Sequence, residues 1–265
     1  MTAIDPHVER AADGYWDTVR ALSVGQKSAA RSAPAYSRYI NRRLGRLLAA
    51  AAIRAGLSPN AVTAISAAFT LAGIALLMIY PPSAALGIGV ALCLVAGYAF
   101  DSADGQVARM RGGGSPAGEW LDHMVDAVKT SAMPLALAVG LYRFDAVDRW
   151  WLVVPLGAAI VSAVLFFGMI LTEQLRRQAE RVSEAEPGGR SWIRSLLVVP
   201  MDYGILCLSF LCYGVLPVFL TVYTLIFAAT AGFLMLASVK WFRELSASPP
   251  ISRPAGQHVM QGGRP

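Results

Sequence analysis

The stretch SAALGIGVALCLVAGYAFDSAD, residues 83–104, decides how the rest of the chain is read. Ser83–Phe100 runs without a single charge straight into Asp101 and Asp104. A helix needs about 20 mostly apolar residues, at about 1.5 Å each, to cross a hydrocarbon core about 30 Å thick. The segment therefore reads as a membrane span that delivers two carboxylates to the membrane boundary.

Composition agrees with that reading. The chain has 265 residues, 55% hydrophobic and 15% charged, with a mean hydropathy of +0.50. Soluble proteins carry about 25% charged residues, so this chain lacks the polar surface of an ordinary soluble enzyme. A disordered protein would be poor in hydrophobics. Working outward, Ala61–Tyr80 is a further span, closed by Pro81 and Pro82. Another runs from about Glu119 to Tyr142, and another over Trp150–Thr172. Leu196 to Trp241 is long enough for two crossings, with the turn at Gly214–Pro217. The expectation is an all-α polytopic membrane protein. Six transmembrane helices occupy 57–242, an amphipathic juxtamembrane helix 35–56, and tails 1–34 and 243–265. Residues 1–34 are mixed and polar, without the apolar core of a cleavable leader.

Lys and Arg test the topology. They gather before residue 60, at Arg109 and Arg111, over 176–194 and after the last span, whereas the opposite connections hold only Arg143 and Arg149. This positive-inside pattern predicts cytoplasmic termini in a bacterial inner or plasma membrane. The net charge of +6 then reads as a basic face beside anionic lipid. No nucleic-acid module is visible. Cys93, Cys207 and Cys212 lie in apolar runs without metal-type spacing and read as packing residues. In Tyr36–Ala52, Tyr36, Tyr39, Ile40, Leu44, Leu47 and Leu48 recur at helical spacing, with Arg38, Arg42 and Arg46 on another face. That pattern fits a helix lying on the leaflet; the plainer alternative is a basic linker.

Ionisable residues within spans are costly and point to function. Asp101 and Asp104 are three apart at the end of one span, and Asp122 and Asp126 four apart at the start of the next. On helices both spacings share a face. The short glycine-rich connection, Arg111–Ser115, makes the two helix ends neighbours. Four uncompensated carboxylates in low dielectric repel one another, and divalent cations relieve this. Oxygen ligands suit Mg²⁺ or Mn²⁺, with Ca²⁺ open on ligand type alone. Gly105 and Gly118 leave room for a flat ligand or phosphate, and Arg109 suits a phosphate. The plain structural alternative is helix-end carboxylates paired with Arg109, Arg111 and Lys129.

Asp101-Ser-Ala-Asp104-Gly105-Gln-Val-Ala108-Arg109, followed after eight residues by Gly118-Glu-Trp-Leu-Asp122-His-Met-Val-Asp126, resembles the signature of the CDP-alcohol phosphotransferases, D-x2-D-G-x2-A-R … G-x3-D-x3-D. Ser58-Pro59-Asn60-Ala61-Val62-Thr63 resembles the stretch that opens their first span. The resemblance covers about residues 36–242. It implies attack by an alcohol hydroxyl on a CDP-linked donor, giving a phosphodiester and CMP. It implies two Mg²⁺ or Mn²⁺ ions on Asp101, Asp104 and Asp122, with Asp126 as general base close to the metals. Asn60, Thr63, Gly105, Ala108, Arg109 and Gly118, beside Asp101 and Asp104, would hold the CDP moiety. A homodimer through the later spans is also expected of the family.

The substrates are less legible. The first expectation is CDP-diacylglycerol as donor, with a small polyol or polyol phosphate as acceptor, in phospholipid biosynthesis. The alternative is a soluble CDP-alcohol donor with a lipid or inositol-phosphate-like acceptor. An anionic acceptor needs cations, for which Lys129, Arg176, Arg177, Arg190 and Arg194 are candidates; the arginines equally satisfy the positive-inside rule. His123 reads as a local neighbour, and Asp202 as a partner for a cytoplasmic arginine or, alternatively, a contact for the acceptor. A metal- or proton-coupled transporter also places acids in spans, but here they cluster at one face.

Overall fold

The computed structural model describes residues 14–24, 36–180 and 202–247, and every regular element among them is helical. In chain order these are α1 (Tyr15–Val24), α2 (Arg42–Arg54), α3 (Pro59–Ile79), α4 (Ala84–Met110), α5 (Pro116–Arg143), α6 (Val153–Glu180), α7 (Tyr203–Ser209) and α8 (Leu216–Ser246). A π turn, Ser37–Asn41, leads into α2, and 3₁₀ turns precede α6 and follow α7. Five segments are long and apolar enough to cross a membrane: α3, α4, α5, Arg149–Arg177 and α8. They mark an integral membrane protein.

The expected fifth of six spans starts at Leu196, and residues 196–201 lie outside the described residues. Its described part, Tyr203–Cys212, is apolar but short. The turn at Gly214–Pro217 coincides with the break before α8. An α-helix stands where the amphipathic segment was expected. Residues 1–34, expected as a tail, contain α1. Val19 and Leu22 on one face pack against α2, and the Tyr15 hydroxyl donates to the Leu47 carbonyl at 3.1 Å. At the other end, α8 carries on to Ser246, past the expected boundary at 242.

Local chemistry starts the long helices. Ser58, Ser83 and Ser115 are N-caps whose hydroxyls accept from Ala61, Leu86 and Gly118 N–H, and Pro59 and Pro116 open α3 and α5 where a missing N–H costs nothing. Tyr80, ahead of Pro81, is extended at φ −115° and ψ 146°, because the proline ring excludes the helical region for its predecessor.

Packing then places the site. α3 lies along both α4 and α5, which pack on it rather than on each other; α2 lies on α4, α6 on α5, and α8 on α6. Gly97 and Gly140 allow the close approaches: a Cβ on Gly97 would collide with the Thr70 hydroxyl, and one on Gly140 with the Leu77 carbonyl. Leu77, Leu94, Leu137, Phe210, Tyr213 and Phe219 fill the centre. Buried Ala103 and Val107 join Ala49, Ala50 and Val62 in a second cluster. α4 runs ten residues past Phe100, where the apolar span ends, and so carries Asp101 and Asp104 on a helix, as their spacing predicts.

Candidate active site

The site is built at the ends of α3, α4 and α5. Gly112 and Gly113, at φ +92° and +124°, take backbone angles that side chains resist. Their N–H groups close α4 by donating to the carbonyls of Arg109 (3.2 Å) and Ala108 (3.0 Å). Ser115 then restarts the chain as α5. This tight reversal turns the Asp101–Asp104 pair toward the Asp122–Asp126 pair.

Lys129 bridges the two pairs. Its Nζ donates to Asp101 Oδ1 at 2.7 Å and forms an ion pair with Asp126. It is only 7% exposed, and its ammonium lies 5.8 Å from the Tyr203 ring centroid. Asp104, equally buried, accepts from the Thr63 hydroxyl at 2.6 Å. Asp104 feels the charges of Asp101 and Asp122, and Asp122 those of Asp101 and Asp126. Asp101 and Asp126 share Lys129 as their counter-charge. The tightest potential metal-ligand group is Asp122, His123 and Asp126, whose ligand atoms lie within 4.8 Å of one another. His123 also approaches Glu119 at 3.9 Å, and its buried Nδ1 has no hydrogen-bond partner. Its other contacts are those of a packed neighbour, with the Phe166 ring edge-on at 6.4 Å between centroids.

The other signature residues collect around this centre. A Cβ on Gly118 would meet Asn60 Oδ1 at 3.1 Å, and one on Gly105 would meet the Arg109 guanidinium at 3.4 Å. Asn60 and Gly118 thus meet where α3 and α5 begin, Thr63 joins α3 to Asp104, and Arg109 folds back over Gly105 on α4. Ala108 contributes its carbonyl to the α4 cap. The four carboxylates supply the oxygen ligands that a hard divalent ion such as Mg²⁺ or Mn²⁺ takes.

Arg177 reaches the margin of the site through Glu119, the carboxylate that His123 approaches, whereas Arg176 is turned to α8. Arg176 pairs with Glu244 at 2.8 Å, and Arg177 with Glu119 and Glu173 at 3.2 Å each. Arg190 and Arg194 lie outside the described residues. Asp202 is not paired with an arginine among the described residues. It caps α7 through Gly204 N–H and accepts Ser37 N–H at 3.1 Å, clasping the start of the chain's membrane-proximal segment. Tyr36 packs against Gly204 there, and burial, with Cys207 and Asp202 nearby, raises its hydroxyl above the ordinary tyrosine pKa. Behind the acids opens a cavity of about 320 Å³. Sequence carries no sign of it, since its walls come from five helices, α4 to α8.

The family model for CDP-alcohol phosphatidyltransferase matches residues 56–238, and the chain belongs to that family. A phosphatidylinositol phosphate synthase of Corynebacterium glutamicum is 38% identical over 115 residues, 43% of this chain and 46% of that protein. The match thus spans less than half of the relative's length. The phosphatidylinositol phosphate synthase of Mycobacterium tuberculosis, in its crystal structure with CDP-DAG bound, shares the fold at a TM-score of 0.50 and 23% identity. That alignment covers 82% of this chain and 98% of the other.

Proposed function

We propose that the protein transfers a phosphatidyl group from CDP-diacylglycerol to an alcohol hydroxyl and releases CMP, as a step of phospholipid biosynthesis. The observation that carries this reading is Lys129 held between Asp101 of α4 and Asp126 of α5, one member of each acid pair of the signature. The donor assignment is supported by the CDP-DAG bound to the mycobacterial protein.

Asp101, Asp104, Asp122 and Asp126 hold the divalent cofactors, two Mg²⁺ or Mn²⁺ ions. When bound, these neutralise the diphosphate and offset charge on the departing phosphate. The protein's own groups do the rest. Thr63 fixes the Asp104 carboxylate, and Asn60 and Gly118 leave a flat floor for the nucleotide. Arg109, folded over Gly105, contacts phosphate. Asp126 receives the acceptor proton as the acceptor oxygen bonds to phosphorus and the bond to CMP breaks. A carboxylate near cations is a weak base and acts chiefly through its position. Residues 57–242 form the catalytic unit, with the site and both termini on the cytoplasmic side, and the protein acts as a homodimer. The sequence leaves the acceptor between a polyol and a polyol phosphate.

The test is product identification by mass spectrometry after incubating reconstituted protein with CDP-diacylglycerol, Mn²⁺ or Mg²⁺, and a panel of alcohols. A phosphatidyl product that disappears with a chelator is expected. Products only from soluble CDP-alcohols would overturn the donor assignment.

A further inference from the structure

We infer that the acceptor is positioned in the cavity by the main-chain carbonyl of Thr130, which Pro134 leaves free, and by the phenol of Tyr203. These two groups select an alcohol with at least two hydroxyls, one to react at Asp126 and another to anchor. This rests on the transferase reading above.

Pro134 lies inside α5. An N–H at that position of a helix would close on the carbonyl four residues earlier, and proline has none. The Thr130 carbonyl is therefore without its helical donor. The Thr130 hydroxyl does not take over, because it donates to the carbonyls of Asp126 at 2.8 Å and Ala127 at 3.2 Å. Within a span, a carbonyl so released needs a polar partner from a side chain, a water or a ligand. Spacing by four puts Asp126, Thr130 and Pro134 on one face of the helix, and all three line the cavity. The free carbonyl thus shares a chamber with the proposed base, about one helical turn, 5.4 Å, farther along α5.

Tyr203, at the start of α7, supplies the complementary group. It lines the same cavity, and its buried hydroxyl has no hydrogen-bond partner among the described residues. Its ring is held edge-on to Tyr98, at 5.2 Å between centroids, and faces the Lys129 ammonium at 5.8 Å. The chamber therefore offers one acceptor and one donor beyond Asp126. A polyol meets both, since a hydroxyl donates to a carbonyl and accepts from a phenol. A monohydric alcohol engaged at Asp126 has no group left for either, and leaving buried polar groups unpaired is costly. Apolar walls from Met133, Leu165 and Phe227 keep other partners away from the two anchors.

The test uses the full-length protein in nanodiscs with CDP-diacylglycerol and Mn²⁺. Glycerol, glycerol 3-phosphate, myo-inositol and myo-inositol 1-phosphate are the polyol probes, and 1-propanol is the monohydric one. Pro134→Ala restores the N–H that closes on Thr130, and Tyr203→Phe removes the phenol. For the polyol with the highest kcat/KM, each variant should raise the acceptor KM about fivefold, the scale of one neutral hydrogen bond. The KM for CDP-diacylglycerol should stay at the wild-type value, which a merely structural role would not ensure. A binding arm omits the donor, so that nothing turns over. The Tm rise that this polyol gives Mn²⁺-loaded wild type should shrink in both variants. The inference is overturned by an unchanged acceptor KM in either variant, by an equal rise in both KM values, or by an undiminished Tm rise. Turnover of 1-propanol as efficient as that of the best polyol overturns it too. Where Pro134→Ala fails to fold, Tyr203→Phe decides by the same criteria. No CMP with any acceptor would defeat the transferase reading instead. The Tm arm, run with all four polyols, then still decides the anchor, and no Tm rise in the wild type defeats it.

Discussion

Lys129 Nζ lies 2.7 Å from Asp101 Oδ1, tying the third long helix to the second at the level of the signature acids. One buried ammonium therefore offsets charge that a cation-binding site must otherwise leave unbalanced. Lys129→Met should lower the stability of metal-free protein by about 3 kcal/mol, the scale for stripping one partner from a buried pair. Added Mn²⁺ should recover most of that loss. Thermal unfolding with and without chelator measures both, and an unchanged metal-free Tm would contradict the bridging role.

Thr63 and Asp104 form the second cross-helix link, at 2.6 Å. Thr63→Val keeps the shape and removes the donor. The KM for the CDP-linked donor should rise about tenfold, matching a charge-assisted hydrogen bond worth about 1.5 kcal/mol. Steady-state kinetics decide this, and an unchanged KM would separate Thr63 from donor binding.

Asp126→Asn should reduce turnover about 10²-fold or more, the range for loss of a positioned proton acceptor, with a smaller effect on donor binding. Single-turnover rates compared with donor affinity separate the two. Turnover at the wild-type level would remove Asp126 from proton transfer.

The close approach of α3 to α5 at Gly140 is a packing requirement. Gly140→Val would drive side-chain atoms into the Leu77 carbonyl and should cost about 1–3 kcal/mol. A denaturation midpoint equal to wild type would show that the helices can separate freely there.

Much of the site was legible because its chemistry is local in sequence. Asp101, Asp104, Asp122 and Asp126 occupy two helical faces joined by a glycine turn, so spacing alone places them together. The span boundaries were less legible. Hydropathy marks only where the apolar span stops, at Phe100, whereas α4 continues to Met110 with Ala103 and Val107 buried. Helix α1 was missed because Val19 and Leu22 become a buried face only once α2 is beside them. Arg176 and Arg177 look like anion ligands by sequence. Glu244 of Arg176 and Glu119 of Arg177 lie 68 and 58 residues away, beyond any local pattern, and only Glu173, four residues before Arg177, was within reach of one. The cavity has the same origin, since Asp126, Leu165, Tyr203 and Phe227 meet only through packing.

The central claim is that the four aspartates form one metal-dependent phosphotransfer site. It is tested most directly by CMP release from CDP-diacylglycerol with Mg²⁺ or Mn²⁺ and an alcohol acceptor, comparing purified wild type with Asp122→Asn. Acceptor-dependent CMP from the wild type, abolished by chelator and by Asp122→Asn, is the expected result. The absence of CMP from every CDP-linked donor, or equal release by the variant, would contradict it.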